Sequence, residues 1–264
     1  MELGLHGKNV IVTGGGSNIG RAIVHAFAAE GSNIIIAELS PEQGERVSDE
    51  VRARYARAQV QVVAADVTRL EQVEAMVSHA VATLGGVDVL VNNVGWTIDR
   101  LFLDKPREEH EKEVRVNLWG AVNCIHAVLP HMVQRQGGSV VSISSDAGRM
   151  GEFREAVYSA CKAGVIALSK AVARENGRYG IRFNVVCPGL IVPPRDEDIS
   201  PESMWNQMRD IFTDEVLERV ERNYPLRRMG TAAEIANAVV FLASDAASFI
   251  TGQTLSVSGG YTMM

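Results

Sequence analysis

Short runs of almost unbroken apolar residues, many of them β-branched, recur along the chain: VIV, NIII, VDVLV, SVVSI and FNVV. A strand with one wet face alternates apolar and polar residues. Unbroken runs therefore belong to strands covered on both faces, as in a parallel sheet layered by helices. Between them lie longer segments with apolar residues at helical spacing. The pattern predicts strands at 8–13, 33–38, 60–65, 87–92, 139–144, 182–187 and 253–257, and helices near 18–30, 42–56, 69–84, 107–135, 156–178 and 231–244. No Pro/Ser-rich linker, low-complexity tract or internal repeat breaks the βα alternation, so residues 1–264 read as one domain.

Composition narrows the function classes. The chain is 46% hydrophobic and 22% charged, ordinary for a globular protein with a sizeable core. Its formal net charge of −6 argues against nonspecific nucleic-acid binding, which needs a basic surface. Cys124, Cys161 and Cys187 are an odd, scattered set, which suggests a reducing compartment, and the sequence holds no metal-ligand cluster. No basic stretch followed by an apolar one opens the sequence, and no apolar run approaches ~18 residues. The expectation is a cytoplasmic protein with no membrane segment.

KNVIVTGGGSNIGRAIVHAFAAEG joins a strand to an amphipathic helix through a glycine-rich turn. Glycines there let the backbone approach a pyrophosphate, whose charge then sits at the helix N-terminus. Gly14 and Gly20 bracket the turn, with Ser17, Asn18 and Ile19 inside it. The next strand ends in Glu38, a carboxylate able to accept from both ribose hydroxyls and to repel a 2′-phosphate. Neither Ser17 nor Leu39 offers a cation, so NAD is expected rather than NADP; a solvated strand-end charge is the plainer reading of Glu38. The turn glycines, Glu38, Asp66, Asn92, Ser145 and Pro188 all follow strand ends, where open parallel sheets bind ligands.

Tyr158 and Lys162 stand four apart in EAVYSACKAGVIALSKAVARE, on one face of a helix. An ammonium beside a phenol favours the phenolate. A free phenol titrates near ~10, so a base at neutral pH needs on the order of 3–4 kcal/mol of preferential stabilisation.

The spaced set of Thr13-Gly14 to Gly20, Asp66, NNVG at 92–95, Asn117, Ser145, Tyr158, Lys162 and PG at 188–189 resembles the short-chain dehydrogenase/reductase family, over about residues 5–260. The resemblance implies a Rossmann-type doubly wound α/β fold with a seven-stranded parallel sheet, and hydride transfer with a nicotinamide cofactor. It implies Tyr158 as general acid or base, and Ser145 rather than Ser144 on the substrate oxygen. Lys162 is implied on Tyr158 and the nicotinamide ribose, and Asn117 as water anchor of a proton relay; a satisfied core amide is the alternative for Asn117. Asp66 and Val67 are expected at the adenine, although Asp66 could also cap the next helix. Asn92, Asn93 and Gly95 are expected at the adenine ribose, or as braces of the sheet, and Pro188 and Ile191 at the nicotinamide. A homotetramer is implied too, with helices 107–135 and 156–178 pairing across a dimer axis. Three residues depart from the family pattern, one being Ser258, where an aspartate is common and the site is expected to be structural. Asn18 stands at a usual glycine, where asparagine tolerates a left-handed backbone, and Pro193 stands where a threonine is common.

Residues 190–229, the longest irregular stretch, are expected to form two helices as a lid. Trp96, Met150, Phe153, Val192 and Trp205 could wall an apolar pocket, and Arg149, Arg154 and Arg195 could pair a carboxylate or phosphates. EAVYSACKAG, NVVCPG and FITGQTLSVSGG are similar to 2-hydroxycyclohexanecarboxyl-CoA dehydrogenases, which oxidise a ring alcohol beta to a thioester in alicyclic or aromatic acid degradation. NNVGWTI and VPPR are similar to cis-dihydrodiol carboxylate dehydrogenases, which act on free ring acids. A 3-oxoacyl-thioester reductase is a third reading, disfavoured by Glu38 because such reductases usually take NADPH. A catalytically silent subunit of the same fold is the last. The intact Asn117, Ser145, Tyr158 and Lys162 stand against it.

Overall fold

The computed structural model describes residues 2–56, 58–194, 199–200, 203–208 and 211–264. Strand β1 (Asn9–Thr13) leads through the glycine turn into helix α1 (Asn18–Ala29), followed by β2 (Asn33–Glu38), α2 (Pro41–Arg54), β3 (Val60–Ala64), α3 (Leu70–Leu84) and β4 (Val89–Asn92). Then come α4 (Arg107–Val114), a π-helical turn (Arg115–Trp119), α5 (Gly120–Arg135), β5 (Gly138–Ile143), the short α6 (Ala147–Met150), α7 (Ala156–Asn176) and β6 (Ile181–Pro188). Helices α8 (Met204–Met208), α9 (Asp214–Glu221) and α10 (Ala232–Ala243) precede β7 (Thr254–Val257).

The seven strands form one sheet in the order β3-β2-β1-β4-β5-β6-β7, every neighbouring pair parallel. Side chains alternate faces along each strand. Val10, Val12, Ile34, Ile36 and Val141 pack with α1 and α10, while Ile11, Ile35, Leu90 and Val140 pack on the other face with residues of α3 and α5. Both faces are buried, which is why the strands read as unbroken apolar runs. The chain is thus a single Rossmann-like α/β domain. The strand order reverses between β1 and β4, and a crevice opens there beyond the carboxyl ends of the strands.

Two expectations need correction. The helix expected over 107–135 is broken by the π turn that carries Asn117. Apolar periodicity does not register one extra residue per turn, and such turns gather at functional sites. The second concerns apolar length. Ala156–Tyr179 has a mean hydropathy of 1.3 and is long enough to cross a bilayer, yet Cys161, Lys162 and Val165 of that helix are buried inside the domain.

Candidate active site

The crevice, about 700 Å³ in volume, runs from the β1–α1 turn to the start of α7. At the nucleotide end Gly14 has φ +64°. A Cβ on Gly20 would lie 1.9 Å from the Gly14 carbonyl oxygen, so only glycine lets α1 start so close to β1. Asn18 is left-handed, with φ 41°, and its Nδ2 donates to the Ile191 carbonyl at 3.0 Å. The substitution therefore ties the turn to the segment after β6. Asn93 Nδ2 donates to the Thr13 and Gly14 carbonyls at 3.1 and 3.0 Å. No described side chain caps α1 and its first turn holds no acid, leaving the positive end of the helix dipole open to an anion.

Glu38 lines the crevice with its carboxylate oriented by backbone donors. Oε2 accepts from the Gly16 N–H and Oε1 from the Leu39 N–H, each at 2.9 Å. Burial nonetheless raises its pKa, against those hydrogen bonds. Ser17, Ile19, Asp66, Val67, Asn93, Gly95, Pro188 and Ile191 also line the crevice. Asp66 does not cap α3, whose N-cap is Arg69. Instead its Oδ1 accepts from Thr68 N and Oγ1, at 2.9 and 2.8 Å, closing a tight turn. Asn92 is buried and braces the sheet through Ser142 Oγ at 3.3 Å, outside the crevice wall. The turn, the open helix end and Glu38 together fit a dinucleotide.

At the reacting end β5 and α7 bring the remaining groups together. Ser144 Oγ donates to the Lys162 carbonyl at 2.8 Å and is buried, whereas the Ser145 hydroxyl accepts from Ala147 N at 3.1 Å and lines the crevice with Tyr158. Lys162 is buried. Its Nζ donates to the Ile143 carbonyl at 3.0 Å and stands 5.5 Å from the Tyr158 ring centre. Burial pushes it down to about 8. The expected depression of Tyr158 by Lys162 is not what this geometry yields. Burial, then the nearby Glu155, raise the phenol well above its ordinary value, opposed by the Ser145 hydroxyl.

Asn117 sits in the π turn with its side chain held by backbone. Its Oδ1 accepts from Trp96 N at 3.0 Å, and Nδ2 donates to the Trp96 and Glu113 carbonyls at 2.7 and 2.9 Å. The amide is held by backbone on both sides and splices the loop after β4 to the π turn. Behind it a hollow of about 10 Å³, lined by Asn92, Asn117, Ser142 and Lys162, has the volume of roughly one water.

Trp96, Met204, Trp205, Met208 and Phe212 form an apolar wall on the substrate side, with Phe153 at the mouth, 74% exposed. Met150, Val192 and Arg149 do not line the crevice. Arg149 Nη1 donates to Ser256 Oγ at 2.7 Å, because α6 aims it at β7. Arg154 does line it; Arg195 lies outside the described residues.

Several lining residues went unread in the sequence: Asp99, Glu152, Glu155, Tyr224 and Tyr261. Tyr261 donates to Glu152 Oε2 at 2.8 Å and stacks on Tyr224 with ring centres 5.0 Å apart. Glu155, three residues before Tyr158, carried a signal in its helical spacing. Asp99 and Tyr261 arrive from distant loops and carried none.

Comparison with known proteins agrees with this geometry. Residues 14–262 match the family model described as enoyl-(acyl carrier protein) reductase. The chain is 38% identical to the 3-oxoacyl-[acyl-carrier-protein] reductase FabG of Staphylococcus epidermidis, across 97% of this chain and 99% of that one. The Staphylococcus aureus FabG is likewise 38% identical, across 97% and 98%. The oxidoreductase UcpA of Salmonella typhimurium is 35% identical, across 98% and 96%.

Proposed function

Because the chain belongs to the short-chain dehydrogenase/reductase family, we propose that it interconverts a secondary alcohol and a ketone with NAD, on a ring-bearing hydroxyacyl thioester of the 2-hydroxycyclohexanecarboxyl-CoA kind. The observation that carries this reading is the convergence of Ser145, Tyr158 and Lys162 at one end of a crevice whose other end presents the Glu38 carboxylate. The nicotinamide cofactor, when bound, gives or accepts the hydride. The chain's own groups do the rest. The α1 N-terminus and the Gly14–Gly20 turn hold the pyrophosphate, and Glu38 accepts from ribose hydroxyls and rejects a 2′-phosphate by like charge. Tyr158 gives a proton to the ketone oxygen or takes one from the alcohol, while Ser145 donates to the same oxygen. Held above its ordinary pKa, Tyr158 is protonated at neutral pH, which suits ketone reduction. The Trp96, Trp205 and Met208 wall suits a ring.

A second reading, a 3-oxoacyl-thioester reductase, is favoured by the likeness to the two FabG proteins. Both readings share an acyl thioester and differ in the ring and the cofactor. A screen of cyclic and linear hydroxyacyl-CoA thioesters, each with NAD and NADP, distinguishes them by cofactor absorbance. We expect turnover of the cyclic thioester with NAD. Faster turnover of linear 3-oxoacyl thioesters with NADPH would replace the first reading by the second.

A further inference from the structure

We propose that Glu113 is the positioning residue of the substrate wall: buried in a pair with Lys105, its carboxylate holds Thr97 and so fixes where the Trp96 ring meets the substrate. This rests on the alcohol–ketone reading above and deepens it, by naming what sets the wall against which a ring would lie.

Trp96 and Thr97 belong to the loop after β4, and two consecutive residues of α4 hold them. Lys112 Nζ stands 4.0 Å from the centre of the Trp96 ring, within cation–π range. Its neighbour Glu113 accepts from the Thr97 hydroxyl through Oε1 at 2.6 Å, and Lys105 Nζ donates to the same oxygen. One turn on, Asn117 bonds both the N–H and the carbonyl of Trp96, at 3.0 and 2.7 Å, and also donates to the Glu113 carbonyl at 2.9 Å. Trp96 is thus gripped on its backbone, on its ring face and through the next residue. The residue before it is placed as tightly. A Cβ on Gly95 would stand 3.2 Å from Lys162 Nζ and 3.3 Å from Asn117 Oδ1. The Trp96 segment therefore begins beside the lysine that accompanies Tyr158, and Trp96 itself lines the crevice.

Stability alone does not call for a charge pair at this place. Glu113, Lys105 and Thr97 are all buried. Two charges taken out of water gain little over well-packed apolar side chains of similar volume. A carboxylate, however, does what an apolar residue cannot: it bonds the Thr97 hydroxyl strongly and in one direction. Lys105 supplies the matching charge and fixes the same oxygen from a second side. The stretch 97–105 is thereby closed at both ends on Glu113 Oε1, as by a clasp. With that oxygen in place the loop can leave the sheet along only one course, and Trp96 has one position against the crevice.

The test uses Thr97→Val, which removes the hydroxyl, Thr97→Ser, which keeps it, and the double replacement Lys105→Met with Glu113→Leu, which exchanges the charges for apolar volume. With NAD and a ring hydroxyacyl-CoA thioester, KM should rise about tenfold in Thr97→Val and in the double variant, the pattern of a displaced binding wall. Their kcat, and their NADH affinity read by fluorescence quenching, should change little. Thr97→Ser should return KM to the wild-type value. The double variant should keep the wild-type thermal midpoint, so that substrate binding and stability part company. A second readout needs no turnover. The indole N–H signal of Trp96 in nitrogen-15-labelled protein, assigned through Trp96→Phe, should move in Thr97→Val and the double variant and stay in Thr97→Ser. Wild-type KM with an unmoved indole signal in Thr97→Val overturns the proposal, as does a KM rise that Thr97→Ser fails to reverse. A KM rise matched by an equal loss of NADH affinity, or by a fallen midpoint alone, also overturns it, since that would be a merely structural role. If the double variant binds no NADH, the two Thr97 variants decide. If wild type turns over no secondary alcohol while NADH still binds, the alcohol–ketone reading falls, and the indole signal alone decides whether Glu113 positions Trp96.

Discussion

Opposing influences act on the Tyr158 phenol. Burial and the carboxyls of Glu155 and Asp99 raise it, and the Ser145 hydroxyl lowers it. Replacing it by phenylalanine removes the proton and little of the packing. Tyr158→Phe should keep NADH binding, read by fluorescence quenching, and lower turnover by roughly 10²–10⁴-fold. Retained turnover would exclude Tyr158 as the acid or base. On the reading proposed above, cofactor choice turns on Glu38. Glu38→Arg exchanges a repulsive charge for an attractive one, so the NADP-to-NAD ratio of kcat/KM should rise by on the order of 100-fold. Absolute rates should fall, because the Gly16 and Leu39 N–H groups lose their acceptor. An unchanged ratio would reduce Glu38 to a strand-end charge. Tyr158, Lys162 and Glu38 were legible because each belongs to a local spacing. Asp99 was not, since it reaches the crevice that Glu155 also lines from a loop 56 positions earlier and nothing local marks the encounter.

Among the elements, the tight join is α6 on α7. A Cβ on Gly148 would stand 2.7 Å from the Lys162 carbonyl carbon and 2.8 Å from Ala163 N. Gly148→Ala must push the two helices apart and shift Lys162 from the Ile143 carbonyl. It should cost about 1–3 kcal/mol in urea unfolding and lower turnover more than cofactor affinity. A variant with wild-type stability and rate would show that the join can slide. The strands and the long helices were visible in sequence because periodicity and chain punctuation are local. The π turn at Asn117 was not, because the hydrogen bonds its side chain makes run to the backbone of Trp96, a partner 21 residues away.

For the whole molecule, the buried ionisable groups set how stability follows pH. Folded Glu155 holds its proton to about 8, while the unfolded carboxyl loses it near 4.5. Between those values the folded state binds more protons, so this group makes stability fall as pH rises. Lys162 acts oppositely and higher: folded it titrates near 8 and unfolded near 10.5, so its contribution makes stability rise with pH across that window. Glu155→Gln should therefore raise the thermal midpoint by a few degrees at pH 8 and leave it unchanged at pH 4.5, as scanning calorimetry would show. An equal shift at both values would mean that packing, not the proton, is responsible. By itself the sequence determined the parallel sheet, the dinucleotide turn and the Ser145, Tyr158 and Lys162 set, because strand burial, glycine turns and helix spacing are written in neighbouring residues. Only the tertiary structure decided that Arg149 leaves the site and that carboxyls from two loops meet beside Tyr158, because charges on separate loops find one another only after the sheet has fixed where those loops end.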